Sequence, residues 1–113
     1  MSRFLFVVFT APKEGQEDEY NEWYDGRHLN DTVGVPGIVS GERFVLADVN
    51  SPGTELPKYL ALYEIETDDI AAIPRALEEA RGAGQMPSSE SLDRSSIRAA
   101  FYKPIPPPSE RDL

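Results

Sequence analysis

The sequence predicts an α+β fold in which two helices cover one face of a four-stranded antiparallel sheet. Three observations predict it: strand-like and helix-like apolar patterns follow one another in the order βαββαβ, turn residues separate them, and the chain has only 113 residues. This order is that of the ferredoxin-like, or split βαβ, arrangement. The length allows one domain, expected at 1–104, followed by a proline-rich C-terminal tail at 105–113.

The four predicted strands are rich in aromatic and β-branched residues. They are expected at 3–10, 38–48, 58–66 and 95–103. The first is apolar on both faces, whereas a strand with one face in water alternates apolar with polar residues. Because two helices cover only one face of the sheet, we expect a second copy of the chain to cover the other, in a sheet-to-sheet homodimer. The alternative is a monomer with a modestly apolar open face.

The two predicted helices carry different signals. In the first, about 16–28, aromatic side chains recur at helical spacing and acidic residues cluster at the start, where the helix dipole favours them. The second, 68–81, is capped by an aspartate, and Pro74 is expected at its first regular position because proline has no amide hydrogen. The polar, serine-rich connector at 85–94 is expected to be a mobile flap.

Composition excludes several classes of function. The chain has no cysteine, so thiol nucleophiles, zinc–thiolate sites and iron–sulfur clusters are excluded. The net charge of −9 predicts neither a nucleic-acid partner nor binding to an anionic membrane. With one histidine we expect no metal or other cofactor, although a mixed site of His28, Asp25 and Asp31 is conceivable. The apolar run at 4–9 is too short for a signal core or a membrane span, so we expect a cytoplasmic protein.

The densest chemical cluster lies on the first predicted helix. At about 100° per residue, Tyr20, Tyr24 and His28 fall along one inward-facing stripe. An imidazole near phenols and an aromatic wall suits proton transfer on a small organic molecule. His28 and Tyr24 are therefore candidate catalytic residues, and Tyr20 and Trp23 candidate substrate-binding residues. The alternative is structural, because a histidine at a helix end is commonly a cap and aromatic residues at helical spacing are commonly core.

Three residues of the strands are further candidates for binding a substrate. Tyr63 has apolar neighbours in a central strand, and Tyr102 lies in the last strand. Arg43 could hold a carboxylate or a phenolate. Alternatively, Arg43 pairs with Glu42 or Glu64 as surface charge, the interpretation that we favour because exposed arginines are common.

The chain resembles the EthD-like branch of the dimeric α+β barrel superfamily in three runs: W-Y-D-x-x-H-L at 23–29, V-P-G-I at 35–38 and R-F at 43–44. The resemblance covers roughly residues 3–104. It implies a ferredoxin-like fold that dimerises through its sheets, with a pocket between helices and sheet that His28 faces. It implies no single activity, because the relatives include polyketide cyclases, cofactor-free monooxygenases, lyases, dehydratases and proteins with no known reaction.

The residues and the resemblance together predict a small cofactor-independent enzyme that acts on an aromatic or polyketide-like molecule. His28 would be the acid/base, and Tyr24 and Tyr63 would donate hydrogen bonds to an enolate or phenolate oxygen. One alternative is a non-catalytic binding or accessory protein that holds a hydrophobic metabolite in the same pocket. Another is a haem-handling relative of the same superfamily, with His28 as the axial ligand.

Overall fold

The fold is built on one antiparallel sheet of four strands, and the computed structural model describes residues 2–53 and 55–110. The strands are β1 (Ser2–Thr10), β2 (Ile38–Val45), β3 (Tyr59–Thr67) and β4 (Arg98–Tyr102). Their order across the sheet is β2-β3-β1-β4, and every neighbouring pair is antiparallel. The expected ferredoxin-like topology is therefore confirmed.

The first helix is continuous but changes its hydrogen-bond pattern along its length. It begins as α1 (Glu17–Trp23), passes through a π-helical turn (Tyr24–His28) and ends as α2 (Leu29–Val33). Three acidic residues occupy the first turn of α1, which complements the helix dipole as expected. The helix runs five residues beyond the predicted end, so His28 lies inside the helix rather than at its C-terminal cap.

The second helix begins later than its sequence pattern predicts. It is α3 (Ala72–Gly82), and the Asp69 carboxylate accepts a hydrogen bond from the amide of Ala71 just before it, at 3.1 Å. Pro74 is the third helical residue rather than the first. Its missing amide hydrogen costs no hydrogen bond there, because the first four amides of a helix have no partner within the helix.

The ends of the strands also differ from expectation in places. β2 ends at Val45, and β4 begins only after a short 3₁₀ turn, Arg94–Ser96. β2 has a bulge between Ile38 and Ser40, where two residues of β2 advance against one of β3.

The connector at 85–94 is packed against the body of the protein. Three of its side chains are buried: Met86, Ser91 and Leu92. The amide of Lys13 donates to the carbonyl of Ser91 at 2.7 Å, and the amide of Asp93 donates to the carbonyl of Ala11 at 3.0 Å. The segment expected to be a flap is thus tied to the residues that follow β1.

The two faces of the sheet have different surroundings. The face toward the helices carries buried side chains, among them Phe6, Ala61, Tyr63 and Ile65. The opposite face, which we call the open face, carries apolar side chains on all four strands and charged ones such as Glu42, Glu64 and Arg98. Its apolar side chains are Leu5, Val7, Phe9, Phe44, Leu60, Leu62, Ala100 and Tyr102. Two of these are well exposed, Phe44 at 41% and Tyr102 at 57%.

The C-terminal tail leaves the sheet after β4. Residues 103–107 have no regular structure, and Pro108–Glu110 form a 3₁₀ turn. The rest of the expected tail, 111–113, lies outside the described residues. In the described part of the chain, no helix has the length and apolar character that crossing a membrane requires.

Candidate functional site

A cavity of about 420 Å³ lies between the helices and the sheet. One wall comes from the helix-facing side chains of β1, β3 and β4, and another from the first helix and α3. The connector at 85–94 completes the lining with Met86, Ser88 and Leu92. The lining is mostly apolar with a few polar groups, and its size is typical of sites for small organic molecules.

His28 lines this cavity and has an unsatisfied ring nitrogen. Its Nδ1 atom is buried and has no hydrogen-bond partner among the described residues. Burial lowers the pKa of the imidazole to about 4; the nearby Asp31 carboxylate opposes this shift, and the charges of Arg81 and Arg43 add to it. The ring is therefore neutral at pH 7 and can take up a proton.

The π-helical turn sets the position of this ring. His28 stacks on Trp23, with ring centroids 4.4 Å apart and planes at 22°, and meets Tyr24 edge-on at 4.8 Å. Trp23 and His28 are five residues apart, which on a regular α-helix places them about 140° apart around the axis. In the π turn the amide of Leu29 bonds instead to the carbonyl of Tyr24, five residues back, and this brings the two rings together.

Tyr24 and Tyr63 place two phenols in the same cavity. Their hydroxyl oxygens are 3.4 Å apart, and both side chains are at most 1% exposed. Burial raises the pKa of both phenols above the ordinary value, so both are protonated at neutral pH. The structure thus brings together four of the predicted site residues: His28, Tyr24, Trp23 and Tyr63.

Tyr20 and Arg43 lie behind this cavity and do not line it. Tyr20 is fully buried, and its hydroxyl bonds with Thr10. The Arg43 guanidinium donates to Asp25 at 2.6 Å and to Asn21 at 2.9 Å, and it lies 4.5 Å from the centre of the Tyr24 ring. The Arg43 side chain is only 13% exposed, so it is not a surface charge paired with a neighbouring glutamate; it supports the outer side of the Tyr24 ring.

Tyr102 lies on the other face of the sheet from the cavity. It projects from the open face of the sheet, next to Leu5 on β1, and is not among the lining residues. The conceivable metal site does not form either. The Asp25 carboxylate is bound to Arg43 and that of Asp31 to Arg27, and no group of three potential ligands occurs among the described residues.

Several lining residues were not anticipated from the sequence. Thr32 and Arg81 extend the helical stripes of His28 and Leu77 by one turn, so helical periodicity could have found them. Ser88 and Arg94 belong to the connector and the 3₁₀ turn that follows it. No periodic signal marks such positions, because the chain there follows no repeating geometry.

The comparisons with known proteins establish the fold. No family model matches the chain, and no curated protein matches its sequence. Several solved structures share its fold over more than 90% of both chains, and three of them are described here. A protein of Shewanella loihica PV-4 with a proposed monooxygenase activity has a TM-score of 0.63 at 16% identity, covering 95% of this chain and 99% of its own.

The other two include an EthD family protein. That protein, from Bacillus halodurans, has a TM-score of 0.60 at 18% identity and covers 93% of this chain and 100% of its own. A variant of MhuD with two manganese protoporphyrin IX molecules bound per active site has a TM-score of 0.61 at 10% identity. It covers 92% of this chain and 96% of its own. The similarity to EthD-like proteins that the sequence motifs indicated is therefore confirmed for the fold.

Proposed function

We propose that the protein is a small cofactor-independent enzyme that acts on an aromatic or polyketide-like molecule by acid–base chemistry at His28. One observation carries this proposal: a neutral imidazole with an unpartnered nitrogen lines a largely apolar cavity. A buried polar atom without a partner is costly, and a catalytic role is one reason why a protein keeps such an atom. The likeness to enzymes in the solved structures agrees with an enzymatic role.

In this mechanism His28 removes a proton from an acidic C–H or O–H group of the substrate. The imidazole is neutral at pH 7, since burial holds its pKa near 4, so its basic nitrogen carries no proton before the substrate binds. The substrate becomes an enolate or a phenolate, and its negative charge stabilises the imidazolium. Returning the proton to another carbon of the substrate completes an isomerisation. If the enolate carbon first attacks a carbonyl group of the same molecule, the proton goes to the resulting alkoxide and completes a cyclisation. If a hydroxyl group leaves instead, the proton goes to that hydroxyl and completes an elimination of water.

Tyr24 and Tyr63 would hold the oxygen on which the negative charge develops. Each phenol has a single O–H to donate. If the two hydroxyls bond to each other, one proton lies between them and the other is free to be donated to a ligand. Because both phenols stay protonated in this apolar setting, they can stabilise an oxyanion without transferring a proton to it.

The second candidate function is binding without catalysis. The low pKa of His28 favours it, since a weak base is a poor proton acceptor when its pKa lies well below the working pH. The same cavity would then carry a hydrophobic metabolite, with Trp23 and Tyr24 as its aromatic wall.

The substitution His28→Gln separates these two functions. The variant keeps a polar side chain but cannot shuttle a proton, so product formation from a panel of hydroxylated aromatic and polyketide-like compounds should fall at least about 100-fold. Product is measured by mass spectrometry, and folding by circular dichroism. Tyr102→Phe, outside the cavity, is the matched control and should retain full turnover. Unchanged turnover in His28→Gln would rule out the catalytic role, and thermal stabilisation by a compound that yields no product would support binding alone.

Haem is a separate candidate ligand, because one structural neighbour holds a porphyrin. A neutral imidazole can bind haem iron, and His28, which lines the cavity, would hold the group. When bound, the haem would supply redox chemistry at its iron. Added haemin should then give a Soret band that His28→Ala abolishes, and a wild-type protein without that band would remove this candidate.

We also propose that two copies of the chain associate through their open faces. All four strands contribute apolar side chains to this face. Leu62 of β3, for example, lies opposite Val7 of β1 on one side and opposite Glu42 of β2 on the other. Monomers rarely leave so extended an apolar surface in water. Burial of the same face on both copies gives a closed, two-fold assembly.

A further inference from the structure

Two arginines line the cavity without a role in the proposed proton transfer. Arg81 lies in the last turn of α3, and Arg94 begins the 3₁₀ turn before β4. Both residues are exposed, whereas the lining residues Phe6 and Leu77 are buried. The two positive charges therefore lie at the mouth of the cavity, and its apolar surface lies inside.

Neither of these guanidinium groups is neutralised by a carboxylate among the described residues. Four other basic side chains do form such pairs, Arg27, Arg43, Lys58 and Arg75. The remaining described basic residues also lack a carboxylate partner, but among them all only Arg81 and Arg94 line this cavity without one. Arg94 donates only to the Ser88 hydroxyl, at 3.0 Å, and Ser88 also lines the cavity. The charge of Arg81 acts on the His28 imidazole, so an anion bound at Arg81 would lie within electrostatic range of the proposed acid/base.

We propose that Arg81 and Arg94 form a subsite for the carboxylate of an aromatic ligand whose rings occupy the apolar interior of the cavity. This deepens the proposed function, on which it rests, by naming aromatic carboxylic acids as the substrate class. Guanidinium groups match the planar carboxylate with paired N–H donors, and such charge-assisted hydrogen bonds are among the stronger ones in proteins. The Ser88 hydroxyl, held beside Arg94, supplies a further polar contact at the same place.

The experiment compares two ligands of nearly equal shape, 2-naphthoate and the neutral 2-naphthamide. Trp23 is the only tryptophan and lines the cavity, so its indole N–H resonance in a ¹⁵N–¹H NMR spectrum reports occupancy directly. The carboxylate should bind at least about tenfold tighter than the amide, and each tenfold corresponds to about 1.4 kcal/mol. The double variant Arg81→Gln/Arg94→Gln should lower the affinity for the carboxylate to that for the amide.

The control is Arg75→Gln, which removes a positive charge from the same helix at a residue that does not line the cavity. It should leave the preference for the carboxylate unchanged. Equal binding of the two ligands to the wild-type protein would overturn the subsite while leaving the proposed function intact, because turnover by His28→Gln tests that separately. Two other results would overturn the subsite. One is that Arg75→Gln loses the preference for the carboxylate to the same extent as the double variant. The other is that neither ligand shifts the Trp23 resonance.

Discussion

At the scale of single residues, the chemistry of this protein depends on the environment of one imidazole. Trp23 covers a face of the His28 ring and Tyr24 meets it edge-on, so the ring is largely removed from water. Removal from water disfavours the charged form, and the pKa falls to about 4 although the Asp31 carboxylate acts in the other direction. The Nδ1 atom of the ring has no hydrogen-bond partner among the described residues, and leaving a buried polar atom unpaired costs free energy.

The titration of His28 tests this environment directly. The chain has a single histidine, so its ring C–H resonances can be followed by NMR from pH 3 to pH 8 without overlap from other histidines. We expect a midpoint near pH 4. A midpoint close to the ordinary value of 6.5 would mean that water reaches the ring, which contradicts the proposed site.

The lowered pKa of His28 also makes the free energy of unfolding depend on pH. Between pH 6.5 and 4 the unfolded chain binds a proton at His28 that the folded chain does not, so the free energy of unfolding falls as the pH falls through this window. The loss attributable to His28 is about 3 kcal/mol, at about 1.36 kcal/mol per pKa unit. Urea unfolding at pH 7 and pH 4 should show a smaller loss in His28→Gln than in the wild-type protein; equal losses would contradict the assignment.

At the scale of elements, the π-helical turn and the glycine of β2 shape the cavity. The turn aligns Trp23 with His28, and Gly41 lets the first helix and the Tyr63 ring approach β2 closely. A Cβ atom on Gly41 would lie 2.8 Å from the Tyr63 ring and 3.1 Å from Leu29. A Cβ atom on Gly26, inside the π turn, would meet no other atom within 4 Å, so this side of the turn is open.

We expect replacement of these two glycines by alanine to have opposite effects on the free energy of unfolding. Gly41→Ala should lower the free energy of unfolding by about 1–3 kcal/mol, because the buried Tyr63 ring must move to make room. Gly26→Ala should raise it by up to about 1 kcal/mol, because alanine favours helix and meets no neighbour. Urea unfolding measures both, and an unchanged stability in Gly41→Ala would contradict the close packing at β2.

At the scale of the whole molecule, the sheet has one covered face and one open face. The helices and the connector pack on one side and enclose the cavity. The apolar character of β1 on both sides has no explanation within a single chain, since Val7 and Phe9 point away from the helices. A second copy on the open face would account for it.

A single charge introduced on the open face tests the proposed dimer. Leu62→Glu places a carboxylate among apolar side chains and beside Glu42, so sedimentation equilibrium should show a dimer for the wild-type protein and a monomer for the variant. Val49→Glu is the control, since Val49 is 92% exposed in the loop between β2 and β3 and should not affect association. A wild-type protein that remains monomeric at about 100 μM would contradict the proposal.

Local patterns in the chain were sufficient to predict the type and order of the main elements, and with them the ferredoxin-like topology. This was possible because the apolar period of a strand or a helix is a property of adjacent residues. The helical periodicity likewise predicted that the side chains of His28 and Tyr24 lie on the same side of the first helix. The end of the first helix at residue 33 was missed although Gly34 and Pro36 follow it, because the aromatic stripe on which the helix was predicted ends at His28.

Contacts between distant segments could not be read from those patterns. The burial of Arg43 behind Tyr24, the packing of the connector against the residues after β1, and the arrival of Arg81 and Arg94 at one cavity all depend on how the elements dock. Even the stacking of Trp23 on His28 required a hydrogen-bond pattern that departs from the regular helix. Periodicity describes where a side chain points along its own element, whereas docking between elements sets what it meets there.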